Sequence, residues 1–136
     1  MVTVRLINPK HGFGEINNGK VMLNELGRIA LERWLATPQY FLHVELFEHV
    51  IMPDHVHFVL KFNRIETKEN SGTGVFTAQK GTLGSVIRSY KAAVTSRARE
   101  IDPSFKWQDR YHDEILFSET ALINACKYVR ENPKRV

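Results

Sequence analysis

Two neighbouring segments of alternating side chains, joined by a tight turn, constrain the fold more than any other feature of this sequence. Residues 41–52 place apolar and polar side chains on alternating faces, as a β-strand does, and residues 55–62 read as a second strand. Pro53-Asp54 between them favours a tight turn. Because so short a connection joins only antiparallel neighbours, the chain is expected to build an antiparallel sheet around this hairpin.

Strand and helix patterns alternate along the rest of the chain. Residues 2–7 alternate apolar side chains with Thr3 and Arg5, which predicts a first strand, and Asn18-Gly19 predicts a second hairpin turn. Apolar residues at helical spacing, with capping or stopping residues at the ends, predict helices over about 24–36, 82–100 and 118–131. A short strand is expected within 107–115. This order predicts an α+β fold, with the helices packed on one face of the sheet.

The length favours a single domain. The chain has 136 residues, enough for one hydrophobic core, and no internal repeat or second domain is visible. Residues 63–79 are polar and contain Gly72 and Gly74, so this segment is expected to be a flexible loop within a domain that spans 1–136.

The composition argues against a membrane protein and favours an anionic partner. No run of about 18 apolar residues occurs, the N-terminus lacks the pattern of a signal peptide, and the single cysteine, Cys126, fits a reducing cytoplasm. The net charge of +4 and the pI of about 9.3 favour an anionic partner. The positive charges cluster late in the chain, at Arg88, Lys91, Arg97, Arg99, Lys127, Arg130, Lys134 and Arg135.

The sharpest local motif is Met52-Pro53-Asp54-His55-Val56-His57. Residues i and i+2 of a strand point to the same face, so the imidazoles of His55 and His57 can reach one divalent metal ion. The alternative is that the two histidines merely occupy a half-exposed strand. Two histidines do not complete a coordination sphere, and five residues are candidates for a third ligand: His43, Glu45, Glu48, His49 and His112.

A tyrosine lies in the long helix predicted over 82–100. Its hydroxyl could attack a phosphodiester, and Arg88 and Lys91 beside it could hold DNA phosphates, as could Arg97 and Arg99 further along. This residue, Tyr90, also lies on the apolar stripe of the helix, where a packed tyrosine with a satisfied hydroxyl is the commoner occupant.

Aromatic and basic residues interleave between positions 107 and 111. Trp107 and Tyr111 could stack on bases while Arg110 pairs with a phosphate. The alternative is that the two aromatic side chains anchor a loop on the core.

These motifs, in this order, resemble those of the HUH single-strand DNA transposases, and in particular the REP-associated tyrosine transposases. The resemblance runs over nearly the whole chain. Its most specific part is the block at 50–57, and the accompanying blocks lie at 13–16, 84–95, 107–111 and 128–133.

The resemblance implies a ferredoxin-like or RRM-like fold, an antiparallel sheet flanked by helices. It implies a homodimeric enzyme of the bacterial cytoplasm, associated with the nucleoid when on DNA, that cuts and rejoins single-stranded DNA beside a hairpin. It implies a divalent metal, Mg²⁺ or Mn²⁺, held by the two histidines, and a helix tyrosine that attacks the phosphate. The products are a 5′-phosphotyrosine and a free 3′-OH.

Carried over residue by residue, His55 and His57 match the metal pair. Tyr90, the only tyrosine in the long helix, matches the nucleophile, and Tyr111 and Tyr128 rank below it because both lie outside that helix. In relatives a polar residue, often Gln or His, follows the nucleophile by about one helical turn and completes the metal site. Here that position holds Val94, unless Val94 itself aligns with the nucleophile.

Two other functions stay open. A transposase remnant that binds hairpins without cutting them would fit both the basic helix and Val94. A histidine-dependent nucleotide hydrolase would also use two histidines on a strand. Such enzymes usually continue the alternation with a further histidine, and the next position on that face holds Val59, which argues against this function.

Overall fold

The computed structural model describes residues 1–8, 12–63 and 82–135. After Asn63, the loop predicted over 63–79 lies outside the described residues. In chain order the strands and helices are β1 (Val2–Leu6), β2 (Gly14–Asn17), β3 (Lys20–Leu23), α1 (Glu25–Leu35), α2 (Thr37–Tyr40), β4 (Val44–Ile51), β5 (His55–Phe62), α3 (Leu83–Ala98), β6 (Trp107–Asp113) and α4 (Glu119–Glu131), followed by a 3₁₀ turn over Asn132–Arg135.

The predicted hairpin around Pro53-Asp54 is present and forms half of the main sheet. In the described ranges this sheet has the strand order β4-β5-β1-β6, and each neighbouring pair is antiparallel. Leaving out the β2–β3 hairpin and α4, the chain runs strand, helix, strand, strand, helix, strand, with its first and third strands side by side in the centre. That arrangement confirms the predicted α+β, ferredoxin-like or RRM-like fold.

Local signals placed the turns and helix starts correctly. Asn18 and Gly19 both have positive φ, at 54° and 74°, as the predicted hairpin turn requires. The N-cap side chains of α1, α3 and α4 each accept a backbone N–H of the first helical turn, and they belong to Asn24, Thr82 and Ser118. Each such cap contributes about 1 kcal/mol to stability.

The larger core lies between one face of the sheet and the helices α1 and α3. Val56 and Phe58 of β5 point into it, and Phe58 stacks on Trp34 of α1 with ring centroids 3.6 Å apart. Trp34 is fully buried. Truncating an aromatic side chain in such a position typically costs about 3–5 kcal/mol, so this layer supplies much of the stability.

The last helix corrects the expectation that all helices share one face. Helix α4 contacts β4 and β5 on the opposite side of the sheet, where Ala125 and Val129 pack against Val59 in a second, smaller core. The sequence of β5 allows this because Phe58 and Val59 are both apolar and both buried, which gives the strand an apolar contact on each face. Within the described ranges no helix is long and apolar enough to cross a bilayer.

Candidate metal and tyrosine site

The two histidines of the predicted metal pair lie side by side at the start of β5. Their Nε2 atoms are 3.1 Å apart, and the rings meet edge to face with centroids at 4.6 Å. His57 is 6% exposed, while the side chain of His55 is 14% exposed. Both lie on the face that carries α4, because β5 alternates and Val56 and Phe58 point into the larger core.

The other ring nitrogens are engaged in a way that orients both imidazoles. The Asp54 carboxylate, which can only accept, lies 2.6 Å from Nδ1 of His55, so that nitrogen donates. The Thr3 hydroxyl lies 2.8 Å from Nδ1 of His57 and can accept in the same way. When the Thr3 hydroxyl accepts from Nδ1 of His57, each Nε2 of the neutral rings carries a lone pair, and the two lone pairs face each other. That pattern, with an outer partner on each Nδ1, is typical of histidines that hold a metal.

Burial keeps His57 neutral at physiological pH. Desolvation, the neighbouring His55 and the positive charge of Arg5 lower the pKa of His57 to about 4, against a smaller opposing effect of Asp54. A neutral imidazole is the form that binds a metal. The low pKa therefore keeps His57 in the form that a metal ligand must have.

The spacing of the two nitrogens fits a divalent ion. Two nitrogens about 2.1 Å from one ion, at the right angle of octahedral geometry, lie about 3.0 Å apart. No three His, Cys, Asp or Glu side chains come together as a metal site within 1–8, 12–63 and 82–135. An ion held by this pair would thus take its further ligands from other groups, such as an amide oxygen, water or a phosphate.

Four of the five candidates for a third ligand are engaged elsewhere or belong to the other face, whereas His112 shares the face of the pair but lies beyond Thr3 on the next strand. His49 pairs with Phe58 in the β4–β5 register and so belongs to the other face. Glu48 accepts from Arg130 at 3.4 Å, and Glu45 accepts from Asn63 at 3.2 Å. His43 packs against Phe41 and Phe62, and His112 pairs with Thr3 in the register of the β1–β6 strands.

Tyr90, which the resemblance matches to the nucleophile, does not lie beside the two histidines. It is 3% exposed in the larger core, against Trp34 and Phe58, on the face of the sheet opposite the histidines. Its hydroxyl donates to the carbonyl oxygen of Ala30 at 2.9 Å. Complete burial raises the pKa of Tyr90 well above its usual value, so this phenol is held in the protonated form. Val94 is also fully buried and is no ligand.

The structure places Tyr128 of α4 beside the histidines instead. Its ring meets that of His57 edge to face with centroids 5.9 Å apart, and the residue is 39% exposed. The guanidinium of Arg135 lies 5.1 Å from the centroid of the same ring. A solvent-accessible hydroxyl next to a metal pair, with a cation close by, is what nucleophilic attack on a phosphate requires.

Asn132 lies one helical turn after Tyr128, at the C-cap of α4. Side chains four residues apart lie on the same face of a helix, and Asn132 is only 8% exposed. Its amide oxygen belongs to the ligand class that Mg²⁺ and Ca²⁺ accept. The polar residue expected one turn after the nucleophile is therefore present when Tyr128, rather than Tyr90, is taken as that nucleophile.

A comparison with known proteins gives one clear relative. A protein of Haemophilus influenzae described as uncharacterized is 33% identical over 140 residues, which cover 97% of this chain and 78% of that protein. The chain belongs to the family of this Haemophilus protein. No family model matches the chain, and no solved structure matches it significantly.

The basic residues predicted on the long helix lie away from the histidines. Helix α3 packs on the face of the sheet opposite the pair, so Arg88 and Arg97 are exposed on that other side. Lys91 donates from Nζ to the carbonyl oxygen of Gln108 at 2.7 Å, and Arg99 donates from Nε to that of Phe105 at 3.1 Å. Lys91 and Arg99 thus connect α3 to β6 and to the segment just before it, and these contacts are structural.

The aromatic segment at the start of β6 is also mainly structural. Trp107 is 5% exposed and packs between Phe13, Phe105 and Tyr90, which removes it from any surface that could stack on bases. Tyr111 is half-buried against the larger core, whereas Arg110 is exposed. Of the three residues predicted to bind DNA here, only Arg110 keeps an exposed side chain.

Positive charges surround Tyr128 at the end of the chain. Lys127, Arg130, Lys134 and Arg135 are all exposed on α4 and the turn that follows it. Arg135 lies against the ring of Tyr128 and Arg130 pairs with Glu48 of β4, so these two cations lie on the side of the sheet that carries the histidine pair. A phosphate approaching Tyr128 would meet these cations first.

Proposed function

We propose that this protein is a metal-dependent transposase-type nuclease that cuts and rejoins single-stranded DNA, with Tyr128 as the nucleophile. The observation that carries the proposal is the geometry around His57. Two facing Nε2 atoms 3.1 Å apart form half of a metal site, and an accessible tyrosine ring lies 5.9 Å from one of those imidazoles. An exposed tyrosine or a packed histidine pair alone has an ordinary structural explanation, and their convergence at one place supports a chemical role.

In the proposed reaction Tyr128 attacks the phosphorus of a phosphodiester. A bond forms between the tyrosine oxygen and phosphorus, and the bond from phosphorus to the 3′ oxygen breaks. The tyrosine proton is lost to solvent, and the leaving 3′ oxygen takes up a proton from solvent to become the 3′-OH. The phosphoester energy is kept in the 5′-phosphotyrosine, so the reverse attack by a 3′-OH rejoins DNA without ATP.

His55, His57 and Asn132 are the residues that would hold the divalent ion, Mg²⁺ or Mn²⁺. Such an ion supplies positive charge at the phosphate and lowers the cost of ionising nearby hydroxyls. Asp54 and Thr3 fix the two imidazole rings through their Nδ1 atoms. A pre-oriented pair does not have to be ordered when the ion binds, which raises its affinity.

The exposed cations of α4 and the following turn supply the attraction for the DNA backbone. Arg135 covers the ring of Tyr128 and is positioned to meet a phosphate there. Arg130 is held by Glu48 and therefore has a defined position. The proposal includes the hairpin DNA partner, the homodimer and the cytoplasmic, nucleoid-associated location that the resemblance to the HUH transposases implies.

The test is formation of a covalent adduct. Purified protein, labelled single-stranded hairpin oligonucleotides from the DNA flanking its gene and Mn²⁺ are mixed and resolved on a denaturing gel. We expect a slower-migrating adduct that is lost in Tyr128→Phe and on chelation. Tyr40→Phe, which removes an exposed hydroxyl on α2, is the matched control and should keep the adduct.

Three outcomes would change the proposal. An adduct that persists in Tyr128→Phe but disappears in Tyr90→Phe would return the nucleophile to α3. An adduct that survives both variants would place it on another residue. Salt-sensitive hairpin binding with no adduct at all would favour the DNA-binding remnant over the enzyme.

A further inference from the structure

An arginine on the central strand lies beside the metal pair and has no partner there. Arg5 of β1 pairs with His55 of β5 in the antiparallel register, two residues after Thr3, which contacts His57. Side chains paired across two strands share a face, so Arg5 lies on the same face as both histidines. Its positive charge also contributes to the low pKa of His57, which is consistent with that proximity.

The surroundings of Arg5 leave its charge available. The residue is exposed, and it forms no salt bridge with any residue within the described ranges. The nearest carboxylate in the register, Asp54, is occupied by Nδ1 of His55 at 2.6 Å. Among the described residues, helix α4 packs mainly over β4 and β5 on this face rather than over β1.

An arginine on a central strand of a sheet can be an ordinary surface residue or a functional one. An exposed arginine is most often a solvated surface residue with little effect on stability. Here, however, it lies beside His55 on the neighbouring strand, on the face of the sheet that also carries α4. A phosphate that reached both a metal at the histidines and Tyr128 would lie within the range of a long, forked guanidinium.

We propose that Arg5 binds the non-bridging oxygens of the DNA phosphate that Tyr128 attacks, from the side of the site opposite α4. This inference rests on the proposed function for the identity of the reacting phosphate. The planar fork of Arg5 donates two hydrogen bonds to one phosphate and fixes its orientation. It also offsets the negative charge that develops as the fifth oxygen approaches phosphorus.

The experiment compares Arg5→Gln, Arg5→Lys and the matched control Arg28→Gln. Arg28 is an exposed arginine of α1, on the other side of the sheet, so its replacement makes the same change in net charge away from the site. Circular dichroism and Mn²⁺ titration of each variant come first. The circular dichroism should match the parent, because Arg5 does not pack in the core, and Mn²⁺ should bind Arg5→Gln at least as tightly as the parent, because a positive charge beside the ion is removed.

Two readouts then follow, one of which does not require cleavage. The first is the affinity of the Mn²⁺-loaded protein for inorganic phosphate, which is measured by ³¹P relaxation. We expect Arg5→Gln to weaken it roughly tenfold, as loss of a charged hydrogen-bond donor does. The second is the rate of adduct formation with the hairpin oligonucleotide, which should fall roughly 100-fold in Arg5→Gln and less in Arg5→Lys.

The outcomes separate the two proposals. Phosphate binding that is equal in Arg5→Gln and Arg28→Gln would overturn the role of Arg5, whether or not the parent forms an adduct. Weaker phosphate binding in Arg5→Gln, together with no adduct in the parent, would support the phosphate contact and count against the nuclease. If Arg5→Gln is unfolded, Arg5→Lys serves as the test, and unchanged phosphate binding and adduct formation in that variant would contradict a bidentate contact.

Discussion

Tyr128 packs the edge of its ring against His57, while Tyr90 lies on the opposite face of the strand that carries His57. The sheet therefore separates the two tyrosines, and only one of them shares a surface with the histidine pair. Several measurable consequences depend on this separation and on the contacts that orient the two imidazoles.

Removing the histidines should abolish metal binding while the fold persists. In His55→Ala/His57→Ala we expect the affinity for Mn²⁺ to fall at least 100-fold, because both nitrogen ligands are lost. Isothermal titration calorimetry measures this directly, with His112→Ala as a control on the same face of the sheet. Equal affinity in the double variant and the parent would refute the metal assignment.

The outer partner of His55 should also affect metal affinity. Asp54→Asn keeps the side-chain shape but weakens the charged hydrogen bond to Nδ1, which is 2.6 Å long. Loss of such an outer partner typically lowers metal affinity roughly 10- to 100-fold. The same titration is run with Asp109→Asn, a control variant on β6. Equal affinities for Mn²⁺ in the two variants would mean that Asp54 only caps the turn.

Tyr90 should matter for stability rather than for DNA chemistry. Tyr90→Phe removes the donor to the buried carbonyl of Ala30, and we expect the free energy of unfolding to fall by about 1–2 kcal/mol. Urea denaturation measures the change, and Tyr128→Phe should stay within about 0.5 kcal/mol of the parent because its side chain is partly exposed. A larger loss in Tyr128→Phe than in Tyr90→Phe would contradict these positions.

The metal-free protein should lose stability as the pH falls below neutrality. The pKa of His57 is about 4 in the fold and 6.5 when the chain is unfolded, so between these values the unfolded state binds more protons. The contribution of His57 to the free energy of unfolding is then complete above pH 6.5. It declines as the pH approaches 4, by at most about 3 kcal/mol. Urea midpoints in chelator at pH 7 and pH 4.5 measure the decline, and His57→Gln should show a smaller one.

The sheet could be predicted because its determinants are local. The turn at Pro53-Asp54 and the alternation on either side of it lie within one continuous stretch of chain. The register between β1 and β5 is not local, since Thr3 and His57 are separated by 54 positions along the chain. Alternation places Thr3 and Arg5 on one face of a strand, but it does not say which histidine each one meets.

The positions of the two tyrosines could not be predicted, because both α3 and α4 are amphipathic helices that contain a tyrosine. Periodicity shows that each helix packs on a sheet, and it does not show on which face. One signal does differ between them. A polar residue follows Tyr128 after one turn, at Asn132, whereas Val94 follows Tyr90. The burial of Trp107 could not be predicted either, because an aromatic residue among charged residues occurs both on protein surfaces and at the edge of a core.

Helix α4 carries Tyr128 and packs on the sheet through the smaller core, in which Ala125, Val129 and Val59 are buried and Leu122 and Val50 are partly buried. The larger core on the other face, with its stacked Trp34 and Phe58, does not depend on that contact. Segments that bury little apolar surface open at a lower free-energy cost than the rest of a domain. Local detachment of this one helix would thus carry Tyr128 and Asn132 away together and leave both imidazoles in place, so that the proposed nucleophile and the proposed amide ligand would leave the histidine pair as one unit.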